Sequence, residues 1–208
     1  FSDKLITNLA IVCSYGKPIC TTATISGKEF VTEFEKTEEG AMIKGLNGRF
    51  VWTGRHSYFD ENKTLLTGQM DKPYAFSISS GYYGSNFKFL GYVIADVNYD
   101  EVMNELKNLE LGDDSIFAVI SSDGYEFNNR EDGNTYITNT EFYKNMVNSE
   151  NTSGFDDVQI DGKDYLFVYS TIGEHGLIVS GLVPYKFLTC KADSIMVSTI
   201  VIVVIAII

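Results

Sequence analysis

The chain has 208 residues, a net charge of −12 and a hydrophobic share of 44%. This length allows one large domain or two small ones, and the apolar content excludes a disordered chain. The acidic balance argues against a nucleic-acid partner, which would need a basic face to meet phosphates, and it fits a soluble extracellular domain.

Apolar, β-branched segments dominate the first part of the chain. Residues 7–13 and 19–25 flank a Gly-Lys-Pro turn and predict a β-hairpin that places Cys13 opposite Cys20. Either a disulfide or two free thiols would suit that arrangement. Further strands are predicted at residues 29–35, 41–53 and 74–80, so the sequence indicates a first, β-rich unit over residues 1–89.

Strands and two helices alternate over residues 90–190, which indicates a second unit. It opens with a strand at residues 89–97 and a helix at 98–111, with Asp100 as the predicted N-cap. An Asp161-Gly162 pair is typical of a tight hairpin. The order predicts an antiparallel sheet packed against a helix, an α+β fold. The remaining predicted elements are strands at 115–120, 126–128, 155–160, 164–171 and 176–183 and a helix at 141–147.

The end of the chain is apolar. Residues 195–208 contain Ser198 and Thr199 as their only polar residues and carry no charge. A helix that crosses a bilayer needs about 20 apolar residues, whereas most soluble strands have about 3–10. We therefore expect residues 191–208 to be the start of a truncated transmembrane helix. The alternative is a buried C-terminal helix or strand.

Several segments of the second unit resemble the membrane-proximal module of double Cache sensor domains. These domains form the extracellular part of many bacterial chemoreceptors, sensor kinases and cyclic-dinucleotide enzymes. Residues 90–97 (LGYVIADV) resemble the family's strand before the helix, and residues 117–124 resemble its hairpin. Residues 162–170 and 176–184 resemble the last two strands, although the closing strand of the family usually opens with Trp and Gly176 stands here.

The resemblance implies two PAS-like Cache modules, each an antiparallel sheet with flanking helices. Residues 1–89 would be the C-terminal part of the membrane-distal module, residues 90–190 the membrane-proximal module, and residues 191–208 the start of the membrane helix. It also implies a homodimer anchored in the membrane through residues 195–208, with residues 1–190 extracellular or periplasmic. Such a region senses a small molecule and relays binding to a cytoplasmic output domain, most often one for chemotaxis.

One stretch concentrates residue types that recognise small ligands. An arginine clamps a carboxylate, an acidic side chain pairs with an amine, and aromatic rings wall a pocket or enclose an ammonium group. An amino acid, amine or organic acid would suit such a site. The alternative is that Trp52 is core and that Arg55 and Asp60 form a surface pair. The candidate ligand-binding residues are Trp52, Arg55, His56, Tyr58, Asp60 and Tyr74.

The sequence holds little that indicates catalysis. It contains no G-x-S-x-G and no H-E-x-x-H motif, and its two histidines, His56 and His175, lie far apart. The three cysteines have no zinc-site spacing. We therefore expect a non-enzymatic sensing region without metal or cofactor. The competing hypothesis is a membrane-anchored structural or adhesive domain that binds no small ligand.

Overall fold

The computed structural model describes residues 4–15, 18–25, 29–109, 111–112, 114–173 and 176–189. Within these ranges, antiparallel strands outnumber short helices. The strands are β1 (Ile6–Cys13), β2 (Ile19–Cys20), β3 (Ala23–Ile25), β4 (Phe50–Thr53), β5 (Lys63–Leu65), β6 (Tyr74–Tyr83), β7 (Phe89–Asn98), β8 (Ile116–Ile120), β9 (Glu126–Asn128), β10 (Ser153–Ile160), β11 (Lys163–Ile172) and β12 (Leu177–Pro184). The helices are α1 (Phe30–Phe34), α2 (Glu38–Gly45), α3 (Ser57–Asn62), α4 (Tyr99–Lys107) and α5 (Glu141–Val147). The predicted class of mixed helices and antiparallel sheets is confirmed.

The first sheet has the strand order β2-β1-β7-β6-β4, and every pairing in it is antiparallel. The predicted antiparallel pairing of β1 with β2 is present, but Ala10 rather than Cys13 lies opposite Cys20. Residues 23–25, predicted as part of the same strand, form β3 and pair with β5 in a separate two-stranded sheet. Cys13 and Cys20 are free thiols. Because strand side chains alternate between faces, Tyr92, Ile94 and Asp96 of β7 share the face that is covered by α1, α2 and α3.

Two segments that are predicted as strands are partly helical. Residues 29–35 contain α1, because Phe30, Val31 and Phe34 all fall on one buried face at helical spacing. Residues 41–53 are divided between α2 and β4, and the side chain of Thr37 caps α2 by accepting a hydrogen bond from the Gly40 amide. Short apolar runs do not distinguish a strand from a buried helix, and here contact with the sheet selects the helix.

The strand predicted to open the second unit lies in the first sheet instead. β7 pairs with β6 on one side and with β1 on the other. The connection from β6 to β7 is short, so the two strands become antiparallel neighbours. The following helix, α4, is capped by Asn98 rather than by the predicted Asp100, because the Asn98 side chain accepts hydrogen bonds from the amides of Asp100 and Glu101.

The second sheet has the order β10-β11-β12-β8-β9 and is also antiparallel. The predicted Asp161-Gly162 hairpin joins β10 to β11, and both turn residues have positive φ, 50° and 76°. One face of this sheet packs toward α5. The other shares a hydrophobic cluster with the first sheet and α4. That cluster contains Ala75, Phe76, Val97, Met103, Leu106, Phe117, Val119, Phe127, Leu177 and Val183.

Residues 185–189 are helical directly after β12. Among the helices in the described ranges, none has the length and apolarity needed to cross a membrane. The predicted membrane segment at residues 195–208 lies outside these ranges.

The close approach of β7 to β1 predicts that Gly91 tolerates no side chain. A Cβ atom on Gly91 would lie 1.9 Å from the Val12 carbonyl oxygen, which belongs to the central strand pairing of the first sheet. We expect Gly91→Ala to lower the free energy of unfolding by at least about 2 kcal/mol, because backbone must move to relieve the clash. Urea denaturation of both proteins measures this difference.

Gly45→Ala is the matched control. A Cβ atom there meets nothing within 4 Å, and Gly45 is the exposed last residue of α2. This variant should be unchanged or more stable by up to about 1 kcal/mol, because alanine loses less chain entropy in a helix. Equal stability of the Gly91→Ala variant and the wild type would contradict the strand packing described here.

Candidate functional site

A buried histidine links the first sheet to its helices. His56, in the loop between β4 and α3, is fully shielded from solvent. Its Nδ1 lies 2.9 Å from a Glu39 carboxylate oxygen of α2, and its Nε2 lies 2.7 Å from an Asp96 carboxylate oxygen of β7. The imidazole therefore bridges two carboxylates that come from different elements.

Strand pairing assembles the polar groups around this histidine. Ser77 of β6 lies opposite Asp96, and its hydroxyl donates to the Asp96 carboxylate at 2.7 Å. The Asn8 side-chain amide on β1 donates to the other Asp96 oxygen at 2.9 Å. We call these five residues, Asn8, Glu39, His56, Ser77 and Asp96, the His56 cluster. It places a group of hydrogen-bonded polar side chains in a layer that is otherwise apolar.

The His56 cluster carries charge at neutral pH. Burial alone would lower the pKa of His56, but hydrogen bonds to Asp96 and Glu39 and the attraction of their charges raise it to about 9. Burial would likewise raise the pKa of Asp96, yet the hydrogen bond and charge of His56, together with the donors Asn8 and Ser77, lower it. Both pKa shifts are those expected for an imidazolium ion that donates one hydrogen bond to each carboxylate.

Tyr74 connects the cluster to an acidic residue. Its ring stacks on the His56 imidazole at 5.2 Å between centroids, and its hydroxyl accepts from the His56 amide at 3.2 Å. The same hydroxyl donates to the Asp60 carboxylate at 2.6 Å. Burial and this bond to Asp60 raise the pKa of Tyr74, so the phenol stays protonated. Asp60 also forms an ion pair with Lys63 at 2.7 Å.

Arg55 projects from the same loop toward the second sheet. Its guanidinium carbon lies 4.6 Å from the centre of the Tyr74 ring and 5.5 Å from that of Tyr125, and it donates to the Tyr125 hydroxyl at 3.3 Å. Burial would lower the pKa of Arg55, but the neighbouring hydroxyl groups of Tyr125 and Tyr74 raise it. Within the part of the chain that the structure describes, Arg55 forms no ion pair with a carboxylate.

The structure separates the other two candidate residues from this group. Trp52 lies on the opposite face of the first sheet, edge-on to Phe76 at 5.5 Å, in the cluster shared by both sheets. Tyr58 packs against Phe30 and Phe34 beneath the helices. Four of the six candidates thus lie together, namely Arg55, His56, Asp60 and Tyr74, whereas Trp52 and Tyr58 contribute to packing. The surface pair of Arg55 and Asp60 considered from the sequence is not formed, because Asp60 pairs with Lys63.

Sequence reasoning missed the residues that hold His56. Asp96 and Ser77 each interrupt an apolar strand at a position that faces the core, which is the signal that would have identified them. Glu39 gave no such signal, because an acidic residue in the first turn of a helix is ordinary. Among the described residues, no group of three or more His, Cys, Asp or Glu side chains is arranged to hold a metal ion.

Comparison with known proteins gives a result at the level of structure alone. The sequence matches no protein-family model and no curated protein. The extracellular domain of rpHK1S-Z16, a protein assigned as a histidine kinase, is similar with a TM-score of 0.56 and 12% identity, over 87% of this chain and 71% of that chain.

Two amino-acid-bound domains show the same similarity. The ligand-binding domain of the Pseudomonas aeruginosa PAO1 amino acid chemoreceptor PctB, in complex with L-Arg, has a TM-score of 0.55 and 12% identity, over 93% of this chain and 72% of that chain. The ligand-binding domain of Mlp24 with asparagine has a TM-score of 0.51 and 15% identity, over 90% of this chain and 72% of that chain. The chain therefore has the same fold as these extracellular ligand-binding domains, with antiparallel sheets and few helices.

The raised pKa of His56 predicts a pH-dependent contribution to stability. Below about pH 6.5 the imidazole is protonated in both the folded and the unfolded chain, so its attraction to the two carboxylates is fully present. As the pH rises, the unfolded chain loses this proton first, and the contribution is lost by about pH 9. The total loss should be about 3 kcal/mol.

Urea denaturation of the wild type and His56→Gln at pH 6, 7.5 and 9 measures this contribution. The wild type should be more stable at pH 6, and the difference between the two proteins should shrink as the pH rises. Ser57→Ala, at the exposed neighbouring position, should keep the pH dependence of the wild type. A difference that stays constant across the three pH values would mean that His56 is not charged in the folded protein.

Proposed function

We propose that residues 1–190 are the extracellular small-molecule-sensing region of a bacterial transmembrane receptor. The observation that carries this proposal is the likeness in fold, over most of this chain, to domains that hold asparagine or arginine in their solved structures. In this proposal the region itself catalyses no reaction. It reports binding through a membrane segment at residues 195–208 to a cytoplasmic output domain.

The two sheets suggest how the chain divides into Cache modules. The first sheet with α1–α3 would be the C-terminal part of the membrane-distal module, and the second sheet the membrane-proximal one. Because β7 pairs within the first sheet, we place the boundary after Asn98 rather than at residue 89. We also propose that the receptor is a homodimer, as the family resemblance implies.

The group of Arg55, Asp60 and Tyr74 supports an amino acid, amine or organic acid as ligand. Tyr74 lies between opposite charges, with the Arg55 guanidinium over its ring and the Asp60 carboxylate at its hydroxyl. A carboxylate suits the fork of an arginine, and an ammonium group suits an aspartate beside an aromatic ring. The His56 imidazole stacks on the Tyr74 ring and holds it in position.

The loop that carries Arg55 and His56 also contacts the turn between β8 and β9 of the second sheet, which supports a route for the signal. The Gly54 amide donates to both carboxylate oxygens of Asp123, at 2.9 and 3.2 Å, and the Ser122 amide donates to the Trp52 carbonyl at 3.2 Å. The hairpin at Asp123 follows β8, and β8 pairs with β12, which precedes helical residues 185–189. A ligand can drive this route only by its different affinity for two states.

The output that we favour is chemotaxis, since chemoreceptor domains are among the similar structures. A sensor kinase is the second candidate, because the similar structures also include the extracellular domain assigned to a histidine kinase. Both outputs would use the sensing region in the same way.

Ligand screening of the purified 208-residue chain tests the sensing function. We expect at least one compound among amino acids, amines and organic acids to raise the melting temperature, because a ligand that binds only the folded state stabilises it. For an amino-group ligand, Asp60→Asn should weaken binding by about 10-fold or more in calorimetric titration, because the counter-charge is removed.

Asp71→Asn is the matched control for that substitution. Asp71 also pairs with Lys63, at 3.0 Å, but it is exposed and does not contact Tyr74. The affinity of the Asp71→Asn variant for the ligand should equal that of the wild type. A screen in which no compound raises the melting temperature would favour the structural or adhesive domain and overturn the sensing proposal.

A further inference from the structure

A cavity of about 500 Å³ lies between Arg55, in the loop after β4, and the second sheet. Its volume is within the usual range for small-molecule sites. We call it the Arg55 cavity. Among the described residues that line it, Arg55 alone precedes α4 and the others follow from Tyr99 onward, so a molecule in the cavity would contact both halves of the chain. The residues of the wall that matter for recognition are Arg55, Tyr99, Tyr125, Phe127, Arg130 and Thr135.

The two carboxylates in the wall of the Arg55 cavity are already engaged. Glu126 is buried, and its carboxylate accepts hydrogen bonds from the amides of Tyr136, Ile137 and Thr138, at 2.9 to 3.0 Å, and from two side chains. Glu131 forms an ion pair with Lys107. The oxygens of Glu126 are therefore occupied by neutral donors and Glu131 is paired with a cation, so neither carboxylate pairs with Arg55.

Two arginines and two glutamates line the cavity. The whole sequence contains three arginines, Arg49, Arg55 and Arg130, and two of them line this cavity. Arg55 is held in position by two tyrosine rings and has no carboxylate partner among the described residues. Its planar guanidinium presents parallel donors that match a carboxylate. Buried Phe127 and Met103 add an apolar surface.

We propose that the Arg55 cavity binds a small organic acid through a carboxylate group, with Arg55 as the main anchor. Asp60 and Tyr74 do not line the cavity, so the ligand needs no amino group. This inference rests on the proposed function, in which Arg55 is also the residue that binds a carboxylate, and it narrows the ligand to an acid that lies between Arg55 and the second sheet.

Calorimetric titration of the 208-residue chain with acetate, succinate and citrate tests this proposal. We expect at least one of the three to bind in a 1:1 ratio. Arg55→Ala should weaken it by about 10-fold or more, because the charged hydrogen bonds to the carboxylate are lost. Arg49→Ala removes an exposed arginine just before β4, outside the cavity, and this variant should bind like the wild type.

A second variant tests the location without changing any charge. Thr135 is exposed and lines the cavity, so Thr135→Trp should fill the space and abolish binding while Arg55 remains. Circular dichroism and melting temperature confirm that each variant is folded.

Three results would overturn the Arg55 cavity as an organic-acid site. The first is that none of the three acids binds the wild type. The second is that folded Arg55→Ala binds as tightly as the wild type. The third is that folded Thr135→Trp keeps full affinity, which would place the acid elsewhere on the protein.

Discussion

The pairing of His56 with Glu39 and Asp96 is the interaction on which the first half of the structure depends. Three ionisable groups leave water together, and such burial is tolerated only when each charge has a partner and its remaining hydrogen-bonding capacity is used. Asn8 and Ser77 supply those further bonds. Because the five residues come from β1, α2, β6, β7 and the loop before α3, the cluster aligns the sheet with its helices in a way that apolar contact alone does not specify.

The position of the other polar residues follows from that cluster. Tyr74 stacks on His56, and it therefore presents its hydroxyl to Asp60 and its ring to Arg55. On the other side, the amide of Gly54 binds Asp123 of the second half. A Cβ atom on Gly54 would lie 2.1 Å from the Cβ of Tyr125, so only glycine permits this close approach. The loop at residues 52–56 is thus fixed by charge on one side and by close packing on the other.

Some of these features can be predicted from the local sequence, and others cannot, for physical reasons. Asp161-Gly162 predicts its hairpin, because both turn residues must take positive φ and this pair does so readily. The helix at Phe30–Phe34 was missed because five apolar-rich residues fit either period, and the choice is made by contact with the sheet. Candidate residues were chosen as one sequence stretch, but Trp52 packs against Phe76 in the shared hydrophobic cluster, whereas Arg55 contacts the Tyr74 and Tyr125 rings. Asp96 lies 40 positions from His56, and only strand pairing brings them together.

Arg55 and His56 are adjacent in sequence but lie in different environments. His56 belongs to a buried network whose charges resist displacement, whereas Arg55 is exposed and contacts aromatic rings at the second sheet. In the proposed sensor, a ligand that pulls on Arg55 would therefore not move the His56 cluster, because shifting it would leave buried carboxylates without their partner. The displacement would pass instead to the hairpin at Asp123 and Tyr125, which is joined to the loop by hydrogen bonds. In the proposed sensor, the unequal rigidity of the two neighbours would direct the signal from the loop toward β8 and β12.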